Sequence, residues 1–296
     1  MNLADLIHTS AAQLEAAQLS FGHGTTNAHD EAAWLVLWAL GLPLDTEVHP
    51  PAEPALMNDL NATQIERAQA LIAQRIATRK PAAYLTGEAW LQGLPFYVDE
   101  RVIIPRSLIA ELLTGGGIDY WLSPETCAVL DLCTGNGSLA ILAAMAYPDV
   151  QIDATDISAD ALAVASINVA KHGLQSRVQL LQSDGLAQLQ GRYDLIVCNP
   201  PYVNAHSMAA LPPEYRAEPA MALDGNHAGG SDGMDFIRDL LQSAPRYMTT
   251  DAVLVLEIGN ERPYFEAAFP ALEVVWLETS AGEDQVLLLT RQALTP

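Results

Sequence analysis

Asn199-Pro200-Pro201-Tyr202 is the part of this chain best suited to chemistry. It follows directly on an apolar run, Tyr193-Asp194-Leu195-Ile196-Val197-Cys198, that reads as a strand. Two consecutive prolines lack N–H groups and hold φ near −65° (roughly), so the backbone must leave the sheet stiffly at the strand's carboxyl end. That end is where open α/β sheets place ligands. The Asn199 side chain then projects from a rigid corner, beside carbonyls that no local N–H can satisfy. Such a set of acceptors suits the gripping of a planar –NH2 group, with the Tyr202 ring at hand to cover it. The plainer alternative is that the prolines only end a strand and Asn199 caps a turn.

The elements that position this corner lie upstream. Val129-Leu130-Asp131-Leu132 reads as a buried strand, Cys133-Thr134-Gly135-Asn136-Gly137 as a Gly-rich turn, and Ser138 onward as an apolar helix. Gly135 and Gly137 allow φ > 0 and close approach of a ligand, and the helix start offers free N–H groups. Position 140 is Ala, so this is not a full dinucleotide fingerprint. A tight strand–helix turn without a ligand is the competing reading. Gln151 to Asp156 reads as the next strand, ending on an acid about 20 residues past the glycines, where a ribose-binding carboxylate is expected. Asp156 suits both ribose hydroxyls, or else caps a helix entry. Ser158 reads as the N-cap of a helix over Ala161–Ala170, closed by Gly173. Val178 to Gly185 reads as another strand ending in an acid, and that acid, Asp184, either contacts an adenine amino group or starts a turn with Gly185.

This order of strands, glycine turn, acids and Asn-Pro-Pro-Tyr resembles the S-adenosylmethionine-dependent methyltransferases with the class I Rossmann-like fold. The Asn-Pro-Pro-Tyr corner narrows the resemblance to enzymes that methylate a planar amine or amide nitrogen, namely adenine-N6 DNA methyltransferases and protein glutamine methyltransferases. Tyr84-Leu85-Thr86-Gly87, Arg101-Val102-Ile103-Ile104-Pro105-Arg106 and the N-terminal helices are similar to the bacterial protein-(glutamine-N5) methyltransferases. One branch of that family acts on the Gly-Gly-Gln motif of release factors, the other on large-subunit ribosomal protein L-three. Ser107, Ile109-Ala110, Leu211 to Pro219 and Asp232-Gly233-Met234-Asp235 resemble the ribosomal-protein branch, while Leu108 departs from the Pro expected there.

The resemblance implies an α/β fold with a mixed seven-stranded sheet, a small helical N-terminal domain over 1–83, a β-hairpin linker over 84–105 and a methyltransferase domain over 106–296. It implies S-adenosyl-L-methionine as cofactor, bound by Asp131, Cys133, Thr134, Gly135, Asn136, Gly137, Asp156, Ile157, Asp184 and Asn199. It also implies that Asn199, Pro200, Pro201 and Tyr202 bind the substrate amide, with Asn199, Pro200 and Tyr202 catalytic.

Composition points the same way. The chain has 296 residues, 50% of them hydrophobic, with 14 basic against 36 acidic residues and a net charge of −22. Such a charge repels a phosphate backbone, whose binding rests on Lys and Arg, and steers encounter with a basic protein. A basic protein partner is therefore expected, without direct DNA binding; the acidity also serves solubility. The three cysteines, Cys127, Cys133 and Cys198, form no C-x-x-C, and the seven His form no ligand-spaced cluster, so neither disulfide nor metal is expected. Residues 1–5 lack a basic n-region and 34–40 are too short an apolar run to span a bilayer, which reads as cytoplasmic with no membrane association.

In the N-terminal part, Leu3, Leu6, Ile7 and Leu14 follow a helical period. Glu31 to Leu40 is predicted as a second helix, ended by Gly41 and carrying Trp34 and Trp38 into a core. Residues 50–61 read as a polar, Pro-rich connection. Thr63 to Glu66 reads as a capping box for a third helix through Ile76, stopped before Pro81. Glu88 to Val98 with Arg101 to Ile104 predicts the hairpin. Ser207 to Gly233 is expected to be a long irregular loop beside the ligand end. Asp251–Ile258, Leu272–Glu278 and Asp284–Leu289 are predicted as later strands, the last pair antiparallel.

Overall fold

Short apolar runs rich in Val, Ile and Leu build the larger of two compact units in this computed structural model. The structure describes residues 1–47 and 59–295. The larger unit comprises 90–211 and 218–296, and the smaller comprises 1–89 together with 212–217.

The larger unit centres on a seven-stranded sheet. Its strands are β3 (Ala128–Leu132), β4 (Gln151–Asp156), β5 (Val178–Gln182), β6 (Tyr193–Cys198), β7 (Met248–Glu257), β8 (Val275–Thr279) and β9 (Gly282–Thr290). They lie in the order β5-β4-β3-β6-β7-β9-β8. Pairs from β5 to β7 are parallel, whereas β9 runs antiparallel to both β7 and β8, so the sheet is mixed as expected. Successive side chains on a strand point to opposite faces, and here both faces are buried. Val129, Val197 and Val255 pack into one apolar cluster; Leu130, Ile196 and Leu254 pack into the other. This is why the strands read as continuous apolar runs rather than as alternation. Strand order reverses at β3, between β4 and β6, and open α/β sheets bind ligands at such a point. Helices α6 (Ser138–Ala146) and α7 (Ala159–Lys171) follow β3 and β4, and Ser158 caps α7 through the Ala161 N–H.

The smaller unit packs α1 (Leu3–Ala16), α2 (Ala28–Leu40) and α3 (Ala62–Thr78) around Leu6, Leu14, Leu35 and Ile72. Trp34 is buried with them and Trp38 half-buried. The capping box of α3 is built by Asn61 and Gln64, two residues ahead of the predicted cap at Thr63. Both residue types are good N-caps, and Asn61 gains the reciprocal bond from the Gln64 side chain. Residues 50–58 of the predicted connection lie outside the described residues.

One further expectation is corrected: Arg101 to Ile104 is not a strand. The hairpin is β1 (Glu88–Leu91) with β2 (Leu94–Tyr97), turned at Gln92-Gly93, and it follows a short helix, α4 (Ala82–Thr86). The 203–233 segment is largely irregular, as expected from Ser207 onward, and carries α8 (Ala205–Ala210) and two 3-10 turns, while Val203 bridges to Asp224.

The centre of that segment, Pro212–Ala217, belongs to the smaller unit. Glu214 is fully buried there and pairs with Arg79 at 2.7 Å, while Arg75, also fully buried, lies 3.9 Å from Glu214 and bonds Glu31 at 2.7 Å. Tyr215 packs against His23 at 4.2 Å between ring centroids, with the rings tilted by 48°. Burying charge is costly unless it is paired, so this network fixes where the segment goes. Arg75→Leu leaves Glu31 and Glu214 without their shared cation and is expected to lower the unfolding free energy by about 3–5 kcal/mol. Chemical denaturation measures it, and a loss below about 1 kcal/mol would mean that the network does not carry the unit.

Candidate active site

At the end of β3 the chain must turn sharply to start α6, and Cys133 takes φ +61° to do so. A left-handed conformation at a residue with a Cβ is sparsely populated and marks a position held by its surroundings. Gly135 and Gly137 follow with φ +54° and +83°. Gly137 also admits close packing, since a Cβ there would stand 3.2 Å from Ala165 Cβ.

Asp131 holds this turn from inside. It is fully buried, and its Oδ2 accepts the Thr134 hydroxyl at 2.5 Å and the Ala140 N–H at 2.9 Å. Burial pushes its carboxyl up to about 7, against the pull of those two donors, and nearby Asp156 adds to the rise. Asp156 stands at the tip of β4. Its Oδ2 accepts the Gly135 N–H at 3.0 Å and its Oδ1 the Ser158 N–H at 2.9 Å. The helix-entry cap is therefore present in fact, and a carboxylate has further lone pairs for hydroxyls. Burial raises the Asp156 carboxyl as well. Ile157 is 49% exposed beside it. Asp184 is exposed and begins a turn in which its N–H bonds the Gln188 side chain at 2.7 Å.

The turn fits a polar nucleoside ligand. Asp131 Oδ1, Asn136 Nδ2 and Thr155 Oγ1 are buried with no hydrogen-bond partner among the described residues. Buried polar atoms are rarely left unmatched, and three of them around one glycine turn suit a ligand rich in donors and acceptors.

Strand β6 runs beside β3, and its last paired residue, Cys198, lies opposite Leu132. The next residue is Asn199, which places the Asn-Pro-Pro-Tyr corner alongside the glycine turn. Asn199 is half-buried, and its side-chain amide makes no hydrogen bond to any described residue. The Pro200 carbonyl accepts none either, although Pro200 is buried. Tyr202 is half-buried and packs against the apolar cluster on the β7 side. Burial raises its phenol, helped by Glu257 and opposed by Arg106.

Sequence reasoning missed the polar shell behind Tyr202. Glu257 ends β7, is nearly fully buried, and accepts the Ser107 hydroxyl at 2.5 Å and the Leu108 N–H at 2.9 Å. Burial pushes Glu257 up to about 7 despite those donors and Arg106. Glu218 accepts both Arg106 nitrogens at 2.7 and 2.8 Å and the Ile104 N–H at 2.9 Å. An acid closing the apolar run Ala252 to Leu256 was a visible signal for Glu257; the partner of Glu218 lies 112 residues away and left none.

The glycine turn at the sheet's switch point and the acceptor corner on the neighbouring strand together define a methyltransferase. The family model of the Methyltransferase small domain matches residues 121–211. The fold is also that of the hMettl16 catalytic domain solved with MAT2A 3′UTR hairpin 6, at a TM-score of 0.51 and 14% identity over 82% of this chain and 86% of that one. Relatives are far nearer in sequence. The chain is 53% identical to the ribosomal protein uL3 glutamine methyltransferase of Bordetella pertussis over 99% of this chain and 96% of the relative. It is 48% identical to that of Neisseria gonorrhoeae over 99% and 95%. The chain belongs to the family of ribosomal protein uL3 glutamine methyltransferases.

The raised Glu257 carboxyl has a consequence for stability. The folded state holds that proton up to about pH 7, the unfolded state only to about 4.5. Between these values the folded state binds more protons, so stability falls as pH rises and levels off above the folded pKa. Glu257→Gln is expected to flatten this fall, seen as a smaller difference in urea midpoint between about pH 5 and about pH 7. An unchanged difference would remove Glu257 as its source.

Proposed function

We propose that this chain transfers a methyl group from S-adenosyl-L-methionine to the side-chain amide nitrogen of a glutamine in ribosomal protein uL3. The observation that carries this reading is the corner itself: an unbonded Asn199 amide and an unbonded Pro200 carbonyl on a backbone that two prolines make stiff. When bound, S-adenosyl-L-methionine supplies an electrophilic methyl carbon on a sulfonium. Cys133, Thr134, Gly135, Asn136, Gly137 and Asp131 line the turn that would hold it, with Asp156, Ile157 and Asp184 at the tips of the next two strands.

An amide nitrogen is a weak nucleophile because its lone pair is delocalised into the carbonyl. Asn199 Oδ1 accepts one N–H of the substrate amide and the Pro200 carbonyl accepts the other. Holding both hydrogens favours a pyramidal nitrogen and aims its lone pair, which is orientation combined with preorganised electrostatics. Positive charge grows on nitrogen as the bond forms, so these acceptors bind the transition state more tightly than the ground state. Tyr202 packs on the amide plane. The methylated amide sheds its proton readily, so no titrating base is required.

The charge of −22 supports a basic protein as acceptor over a nucleic acid. No helix among the described residues is long and apolar enough to cross a membrane. Tritiated cofactor offered with uL3, release factor and DNA in parallel tests the assignment. Label is expected on a uL3 glutamine alone; label on release factor or DNA instead would overturn it. Asn199→Ala is expected to lower kcat by about 100-fold or more while the Kd for S-adenosylhomocysteine stays within about threefold. Equal losses in both would make Asn199 a cofactor-binding or folding residue.

A further inference from the structure

Tyr202 and Asn204 are held by one short turn on the neighbouring strand. β6 and β7 pair in parallel up to Cys198 opposite Leu256. Beyond that point β6 breaks into the proline corner, while β7 continues through Glu257 into Ile258-Gly259-Asn260-Glu261, closed by the Glu261 N–H on the Ile258 carbonyl at 3.1 Å. Gly259 has φ +52°, and a Cβ built on it would stand 2.7 Å from Tyr202 Cε2 and 3.0 Å from Cζ and Oη. The Tyr202 ring thus occupies the space that any side chain at 259 would need. Two residues on, Glu261 is 6% exposed and both of its oxygens lie 2.8 Å from Asn204 Nδ2. Asn204 in turn caps α8 through the Ser207 N–H at 2.9 Å.

From the other side, the Gly-rich part of the 203–233 segment closes on the same three residues. The Gly225 N–H and Asn226 Nδ2 both donate to the Val203 carbonyl, at 3.1 and 3.0 Å. A Cβ on Gly233 would overlap the Tyr202 carbonyl oxygen, at 2.0 Å. Tyr202-Val203-Asn204 is therefore clamped between two turns, and the side chain of Tyr202 is set by the one that follows β7.

We propose that Gly259 and Glu261 are positioning residues for methyl transfer: Gly259 seats the Tyr202 ring and Glu261 locks the backbone behind it through Asn204. This rests on the reading of Asn199 to Tyr202 as the acceptor corner. Neither residue makes a hydrogen bond to the glycine turn that would hold the cofactor, among the described residues. Their loss should therefore appear in turnover and not in cofactor affinity, because displacements of about 1 Å at a reacting centre cost about 100-fold.

A double-mutant cycle tests this on the full chain with uL3 and tritiated cofactor. Gly259→Ala is expected to lower kcat by about tenfold or more, with the Kd for S-adenosylhomocysteine changed by less than about twofold. In a Tyr202→Ala background, where no ring remains to displace, the same substitution should change kcat by less than about twofold. An equal loss in both backgrounds would make Gly259 a general structural glycine and overturn the proposal. Should Gly259→Ala not yield folded protein, Glu261→Gln decides the matter: a fall in kcat of about fivefold or more at constant cofactor Kd supports it, and an unchanged kcat overturns it. Absence of label on uL3 with the unaltered chain fails the underlying reading itself, an outcome distinct from either variant result.

Discussion

The missing N–H groups of Pro200 and Pro201 are the constraint around which this molecule is arranged. A strand that ends on two prolines can neither extend its ladder nor bend freely. The Asn199 side chain and the Pro200 carbonyl at this break make no hydrogen bond among the described residues. Most folds would avoid such a corner, because unmatched buried acceptors are costly. Here Pro200 is buried and Asn199 half-buried, and among the described residues both stay unmatched. The surroundings hold them in place: β3 and its glycine turn on one side, β7 and its terminal turn on the other. In the proposed mechanism, rigidity at the corner converts a pair of ordinary acceptors into an orienting device.

Acidic groups are concentrated behind that corner and not in it. Glu257, Glu218 and Glu261 are all buried, each with its own donors in Ser107 and Leu108, in Arg106 and Ile104, and in Asn204. Asp131 does the same beneath the glycine turn. Carboxyls so placed act as multi-acceptor struts: Glu257, Glu218 and Glu261 take their donors from segments distant in sequence, and Asp131 takes its own from the turn that follows it. The cost of desolvating them is visible in the upward shifts of Asp131 and Glu257.

How far the sequence could be read follows from range. The strands β3 and β6 are legible because each is a largely apolar run buried on both faces. The Ser158 cap and the Gly41 stop were legible because capping is local. Arg101 to Ile104 has the β-branched residues of a strand, but Ile104 donates its N–H to Glu218 and pairs with no strand among the described residues. The helix α9 (Asp235–Ser243) went unread behind the glycines that precede it. Least legible was the 203–233 segment. Its composition suggests an irregular loop, whereas its order comes from long-range partners: Arg75 and Arg79 for Glu214, Arg106 for Glu218, Glu261 for Asn204. At the candidate site, residue types single out Asn199, the glycines and Asp156 as candidates, while the shell around them is visible only in the folded chain.

The central claim is that Asn199 and Pro200 clasp both hydrogens of a carboxamide. A crystal structure with S-adenosylhomocysteine and a glutamine-bearing uL3 peptide tests it most directly. The expected result is an amide nitrogen about 3 Å from both Asn199 Oδ1 and the Pro200 carbonyl oxygen. An Asn199 side chain turned inward onto backbone, with the glutamine amide bonded elsewhere, would contradict the account.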